Sequence, residues 1–75
     1  MDLIKLHEIR TWAIEQMEEW GLIDESWSFV WDTRAVRRYG QCRYGSKEIG
    51  VTKKLASINT IEETKDVVLH EIAHA

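Results

Sequence analysis

Near the end of this 75-residue chain, two imidazoles and a carboxylate fall in the order His70-Glu71-Ile72-Ala73-His74. On a helix, positions four apart lie about 40° apart around the axis and one turn along it, so both rings can reach one cation. Neutral imidazole nitrogens at about 2.0–2.1 Å suit zinc, which prefers tetrahedral nitrogen and sulfur ligands. Glu71 is turned about 100° from His70, which sets its carboxylate beside the ion instead of on it. From there it can take a proton from an attacking water and return it to a leaving amine. A chance match to this pattern is expected in about one chain of this length in several hundred. The expected set is therefore His70 and His74 as metal ligands, Zn2+ as cofactor and Glu71 as general base.

This chemistry needs a helix under the motif, and the sequence supplies one. Thr60-Ile61-Glu62-Glu63 has the form of a capping box, in which the threonine oxygen accepts from the amide three residues on. From there to Ala75 nothing breaks a helix. An active-site helix is read over 60–75, with Ile61, Val68, Ile72 and Ala75 on one stripe that Leu69 and Ala73 broaden. At the other end, Asp2 is placed to cap a first helix over 1–21. Leu3, Leu6, Ile9, Ala13, Met17 and Trp20 follow at steps of three or four, and Gly21 stands where a left-handed end is wanted.

Between the helices the period switches to two. Trp27, Phe29 and Trp31 point one way, as on a strand with one buried face. Residues 33–39 read as either a short helical turn or a loop. Residues 41–44 and 48–52 read as a hairpin around Gly45-Ser46, and Gly50 marks a bulge or a close backbone approach. The fold class is α+β, in a single domain over 1–75. An N-terminal helix precedes a small three-stranded, mainly antiparallel sheet within 27–52, and the C-terminal helix packs on that sheet. Trp20, Trp27 and Trp31 are expected to be largely buried, and Trp12 to be the most exposed of the four tryptophans.

Composition narrows the function classes. With 44% hydrophobic and 31% charged residues the chain reads as a folded globular protein, not a disordered one. Its single cysteine, Cys42, permits no internal disulfide and suits a reducing interior. The N-terminal stretch lacks an uninterrupted apolar core of the signal-peptide kind, and no apolar run approaches the 18–20 or so residues needed to cross a bilayer. A cytoplasmic location without membrane partners is expected. His7 and Cys42 are the remaining soft-donor candidates. The plainer readings are favoured for both: a polar position on an amphipathic helix and a small packed side chain.

The sequence resembles the SprT-like zinc metallopeptidases, the group that includes the Spartan-type DNA–protein crosslink proteases. The residues that carry the resemblance run from Trp27 to Ala75. They are Trp27-Ser28-Phe29, Arg38-Tyr39-Gly40-Gln41-Cys42-Arg43-Tyr44, Lys47-Glu48-Ile49-Gly50-Val51-Thr52 with Leu55, and Val67-Val68-Leu69-His70-Glu71-Ile72-Ala73-His74-Ala75. The resemblance implies a sheet packed over the metal-binding helix, peptide or protein substrates lying extended beside a sheet edge, zinc on His70 and His74, and Glu71 as general base. It also implies a third histidine ligand some way beyond the second. The sequence ends one residue after His74, so the domain is expected to be incomplete at its C-terminus and its activity to depend on that missing ligand.

Charge is uneven along the chain. Residues 33–54 hold Arg34, Arg37, Arg38, Arg43, Lys47, Lys53 and Lys54 against Glu48 alone, whereas residues 1–32 are strongly acidic. A basic segment of this kind is a candidate contact for an acidic partner or nucleic acid. Solvated loops and protected sheet edges are the plainer explanation. Two alternatives to a peptidase follow. One is a non-catalytic member of the fold that docks on a protein as an inhibitor or adaptor, for example in viral or mobile-element counter-defence. The other is a nucleic-acid-binding module built on the basic segment.

Overall fold

A computed structural model describes residues 3–34 and 37–75. The expected cap at Asp2 and part of the 33–39 segment lie outside the described residues. The elements run α1 (Leu3–Glu19), β1 (Ser28–Asp32), β2 (Gly40–Arg43), β3 (Glu48–Thr52), α2 (Lys53–Ile58) and α3 (Ile61–His74).

Helix α1 buries the stripe its spacing predicts, with Leu6, Ile9, Ala13 and Met17 in the core. The ends of that stripe do not go in. Leu3 and Trp20 are each 69% exposed, and Trp20, not Trp12, is the tryptophan that faces solvent. The reason is the way the helix stops. Gly21 takes φ 75°, its amide bonds the Glu18 carbonyl at 3.1 Å, and the Leu22 amide bonds the Met17 carbonyl at 2.9 Å. This is the paired 5→2 and 6→1 ending that a left-handed glycine permits. It swings the chain so that Leu22, only 6% exposed, fills the place Trp20 would have taken. Trp12 lies half-buried against the core, with the Lys65 ammonium 5.1 Å from its ring centroid.

The sheet is mixed, with order β1-β3-β2. β1 runs parallel to β3, pairing Phe29 with Ile49 and Trp31 with Val51. β2 runs antiparallel to β3, pairing Cys42 with Ile49 and Gly40 with Val51. One face therefore carries the rows Phe29-Ile49-Cys42 and Trp31-Val51-Gly40, and α1 and α3 pack there. β3 is central and buried nearly throughout. The register passes through Gly50 without a bulge. Instead, the side chains of Val30 and Gln41 flank it at ordinary contact distance.

Helix α2 follows β3 directly, without an intervening loop. Thr52 stands at its N-cap but makes no capping bond, because its hydroxyl donates to the Arg38 carbonyl. The Lys5 ammonium closes the other end by donating to the Ser57 and Asn59 carbonyls, a favourable place for a cation. α3 is capped as its sequence predicts: Thr60 Oγ1 accepts from the Glu63 amide at 3.1 Å. The second arm differs, since the Thr60 hydroxyl donates to the Glu63 carboxylate at 3.0 Å. Its buried stripe is Thr64, Val68 and Ile72, while Leu69 and Ala73 stay exposed. Thr64 fits a buried site because its hydroxyl bonds both Tyr39 Oη, at 2.7 Å, and the Thr60 carbonyl. Among the described residues no helix is long and apolar enough to cross a membrane.

Candidate metal centre on α3

Packing α3 with Thr64, Val68 and Ile72 inward decides where the motif points. His70 and His74 fall on the exposed side, and Glu71 is half-buried toward the sheet. The two imidazoles converge. Their Nε2 atoms are 3.2 Å apart, with ring centroids at 4.7 Å and an interplanar angle of 75°. Two ligands held 2.0–2.1 Å from one tetrahedral ion are separated by about 3.3 Å, so this spacing matches one edge of a zinc coordination shell. The donor type fits as well, because neutral imidazole is a ligand zinc accepts.

Glu71 lies against β2. A Cβ placed on Gly40 would stand 2.6 Å from Val67 Cγ1 and 3.2 Å from Glu71 Cγ, so α3 crosses the strand where a side chain is missing. This is the glycine in the sheet that a close approach requires, whereas the sequence pointed to Gly50 for that role. Gly40 and Cys42 share one face of β2, and Tyr44, one residue past its end, also reaches α3. The Tyr44 hydroxyl donates to the His74 carbonyl, and its ring meets Trp27 edge-on at 6.1 Å. The Cys42 thiol lies close enough to Glu71 and Tyr44 to feel both. Burial pushes its pKa above the usual thiol range and the Glu71 charge adds to that, while a hydrogen bond with Tyr44 opposes it. The thiol form of Cys42 is favoured by these surroundings.

Among the described residues no group of three or more His, Cys, Asp or Glu side chains is placed to hold a metal ion. On α3 the converging donors are the His70–His74 pair. His7 sits elsewhere, in a recess of α1 and α3 with Trp12 and Lys65.

The basic residues are dispersed. Arg43 lies 3.3 Å from both Asp32 and Glu48. The Arg38 guanidinium donates to the Gln41 side chain at 2.7 Å, and the Lys47 ammonium donates to the Glu25 carbonyl at 3.0 Å. Arg34 and Arg37 are exposed in the β1–β2 connection, and Lys53 and Lys54 open α2.

The ladder's phase identifies what β2 offers outward. The Thr52 amide donates to the Tyr39 carbonyl at 2.7 Å, so Tyr39, Gln41 and Arg43 bond toward β3. The amides and carbonyls of Gly40 and Cys42 then point toward the open edge.

A family model described as the SprT-like family matches residues 6–75. No curated protein and no solved structure matches the chain.

Proposed function

The chain belongs to the SprT-like family, and from that premise we propose that this peptidase-related domain works as a zinc-dependent peptidase, with His70 and His74 holding the ion and Glu71 handling the proton. The observation that carries the reading is the 3.2 Å convergence of the two Nε2 atoms. Zinc, when bound, supplies Lewis acidity, bringing the pKa of water to about 7 and polarising a carbonyl.

The chain's own residues supply the rest. Both histidines must be neutral and unprotonated at Nε2, which places their remaining protons on Nδ1. Glu71, whose Cγ lies near Gly40, supplies the base; its carboxylate receives a proton from the attacking water and passes it to the departing amine nitrogen. The outward amides and carbonyls of Gly40 and Cys42 pair with an extended substrate backbone, as a sheet edge does with an added strand. Tyr44 ties the end of β2 to the His74 carbonyl and so keeps that edge in line with the histidines.

The test is Glu71→Gln, assayed for zinc binding and for cleavage of an unfolded polypeptide. Turnover is expected to vanish while zinc affinity is nearly unchanged, and a variant that still cleaves would remove Glu71 as the base. A wild-type chain that binds zinc and polypeptide without cutting would support the docking alternative.

A further inference from the structure

The order β1-β3-β2 leaves each flanking strand with one outer edge, and the two edges differ. On β2 the outward groups are those of Gly40 and Cys42. On β1 the phase is set by the Ser28 amide, which donates to the Lys47 carbonyl at 3.0 Å while Ser28 pairs with Glu48. Ser28, Val30 and Asp32 therefore bond toward β3, and the amides and carbonyls of Phe29 and Trp31 point outward. No Lys, Arg or Pro interrupts Ser28-Phe29-Val30-Trp31-Asp32, and its register with β3 runs without a bulge. Those are the usual guards of a sheet edge, and β1 lacks them. Its one charged side chain, Asp32, is engaged within its own chain. Oδ2 lies 3.3 Å from the Arg43 guanidinium, and Oδ1 accepts the Arg34 amide at 2.9 Å.

The strand also reads nearly alike in both directions. Laid antiparallel to a copy of itself about Val30, it sets Phe29 opposite Trp31 of the second copy, outward groups against outward groups. Each such pair exchanges both backbone hydrogen bonds. On the helix-packed face the pair is aromatic on aromatic, and it covers the half-buried Trp31. On the other face half-buried Val30 meets itself, and Ser28 stands opposite Asp32 of the second copy, so no like charges oppose. A slip of one residue would match outward groups with inward ones and break the ladder.

β1 is also where the charge of the chain changes sign. Exposed Asp24 and Glu25 precede the strand, and exposed Arg34 follows it. The same antiparallel pairing brings the acidic approach of one copy toward the basic exit of the other, at both ends of the strand.

We infer that the β1 edge is a dimer interface, on which a second copy of this chain adds its own β1 antiparallel about Val30 and joins the two three-stranded sheets into one. The β2 edge and the histidine pair stay open in that dimer, so it stands or falls independently of the peptidase reading.

Sedimentation equilibrium of the zinc-free chain tests for the dimer. The mass is expected to rise from 8.8 kDa toward twice that value with concentration. The contact is small, so the dissociation constant is expected to lie between about 10 µM and 1 mM. Amide hydrogen exchange followed by NMR at low and high concentration locates the interface. The Phe29 and Trp31 amides are expected to slow several-fold on association, with those of Gly40 and Cys42 unchanged. Val30→Lys sets like charges face to face on the symmetry axis and is expected to leave a monomer. A chain that stays monomeric up to about 1 mM would overturn the interface. So would a dimer that protects Gly40 and Cys42 instead, or one that survives Val30→Lys. The exchange measurement uses the unaltered chain, so it decides the matter even if Val30→Lys does not fold.

Discussion

Gly40→Ala probes the close approach of α3 to β2. The backbone of Gly40 lies outside the left-handed region, so alanine brings no conformational strain and its effect reports the new methyl alone. That methyl would stand 2.6 Å from Val67 Cγ1, 3.2 Å from Glu71 Cγ and 3.3 Å from the Gly50 carbonyl. Carbon atoms in good contact sit about 3.5–4.0 Å apart, so the overlap with Val67 is about 1 Å. Helix α3 must lift from β2 or Val67 must repack. Overpacking of this size costs about 1–3 kcal/mol, and a domain this small loses about 4–8 °C of melting temperature per kcal/mol. A fall of about 8–16 °C is expected for a cost near 2 kcal/mol. Val67→Ala removes the Cγ1 atom, so the double variant is expected to lose at least about 0.5 kcal/mol less than the two single losses combined. Urea and thermal denaturation followed by far-UV circular dichroism measure all four proteins. A Gly40→Ala chain within about 0.5 kcal/mol of wild type, or single losses that simply add, would show that α3 does not rest on β2 there.

Two other variants test neighbouring steps of the argument. Thr60→Ala removes the oxygen that accepts the Glu63 amide and is expected to destabilise the fold by about 1 kcal/mol in denaturant titrations; no loss would mean the cap contributes nothing. Glu71→Gln removes the charge that helps hold Cys42 as a thiol, so the thiol pKa falls, the thiolate fraction at pH 8 rises, and alkylation by iodoacetamide speeds up. An unchanged rate would place Glu71 away from Cys42.

The form of α3 was legible because every signal in it is local. A capping threonine, an unbroken helix and a four-residue spacing all lie within 15 residues, and the structure keeps each of them. Gly21 was legible for the same reason, but its consequence was not. Spacing extends the apolar stripe of α1 to Trp20, whereas the left-handed turn hands that place to Leu22. Strand partners are a non-local matter. Alternation in Trp27, Phe29 and Trp31 identifies a strand with one buried face but does not say that it lies parallel to β3 on the side away from β2. Helix α2 escaped notice because six residues with one buried side chain, Ala56, make too short a stripe to read. The role of Gly40 becomes visible only once α3 is laid across β2.

The central claim is that His70 and His74 share one ion, and isothermal titration calorimetry with zinc chloride tests it directly. The wild-type chain is expected to take one zinc per molecule weakly, as befits two ligands, with only a small rise in melting temperature. His70→Gln and His74→Gln are each expected to abolish that binding. A wild-type chain that takes up no zinc, or one whose uptake survives both substitutions, would contradict the account.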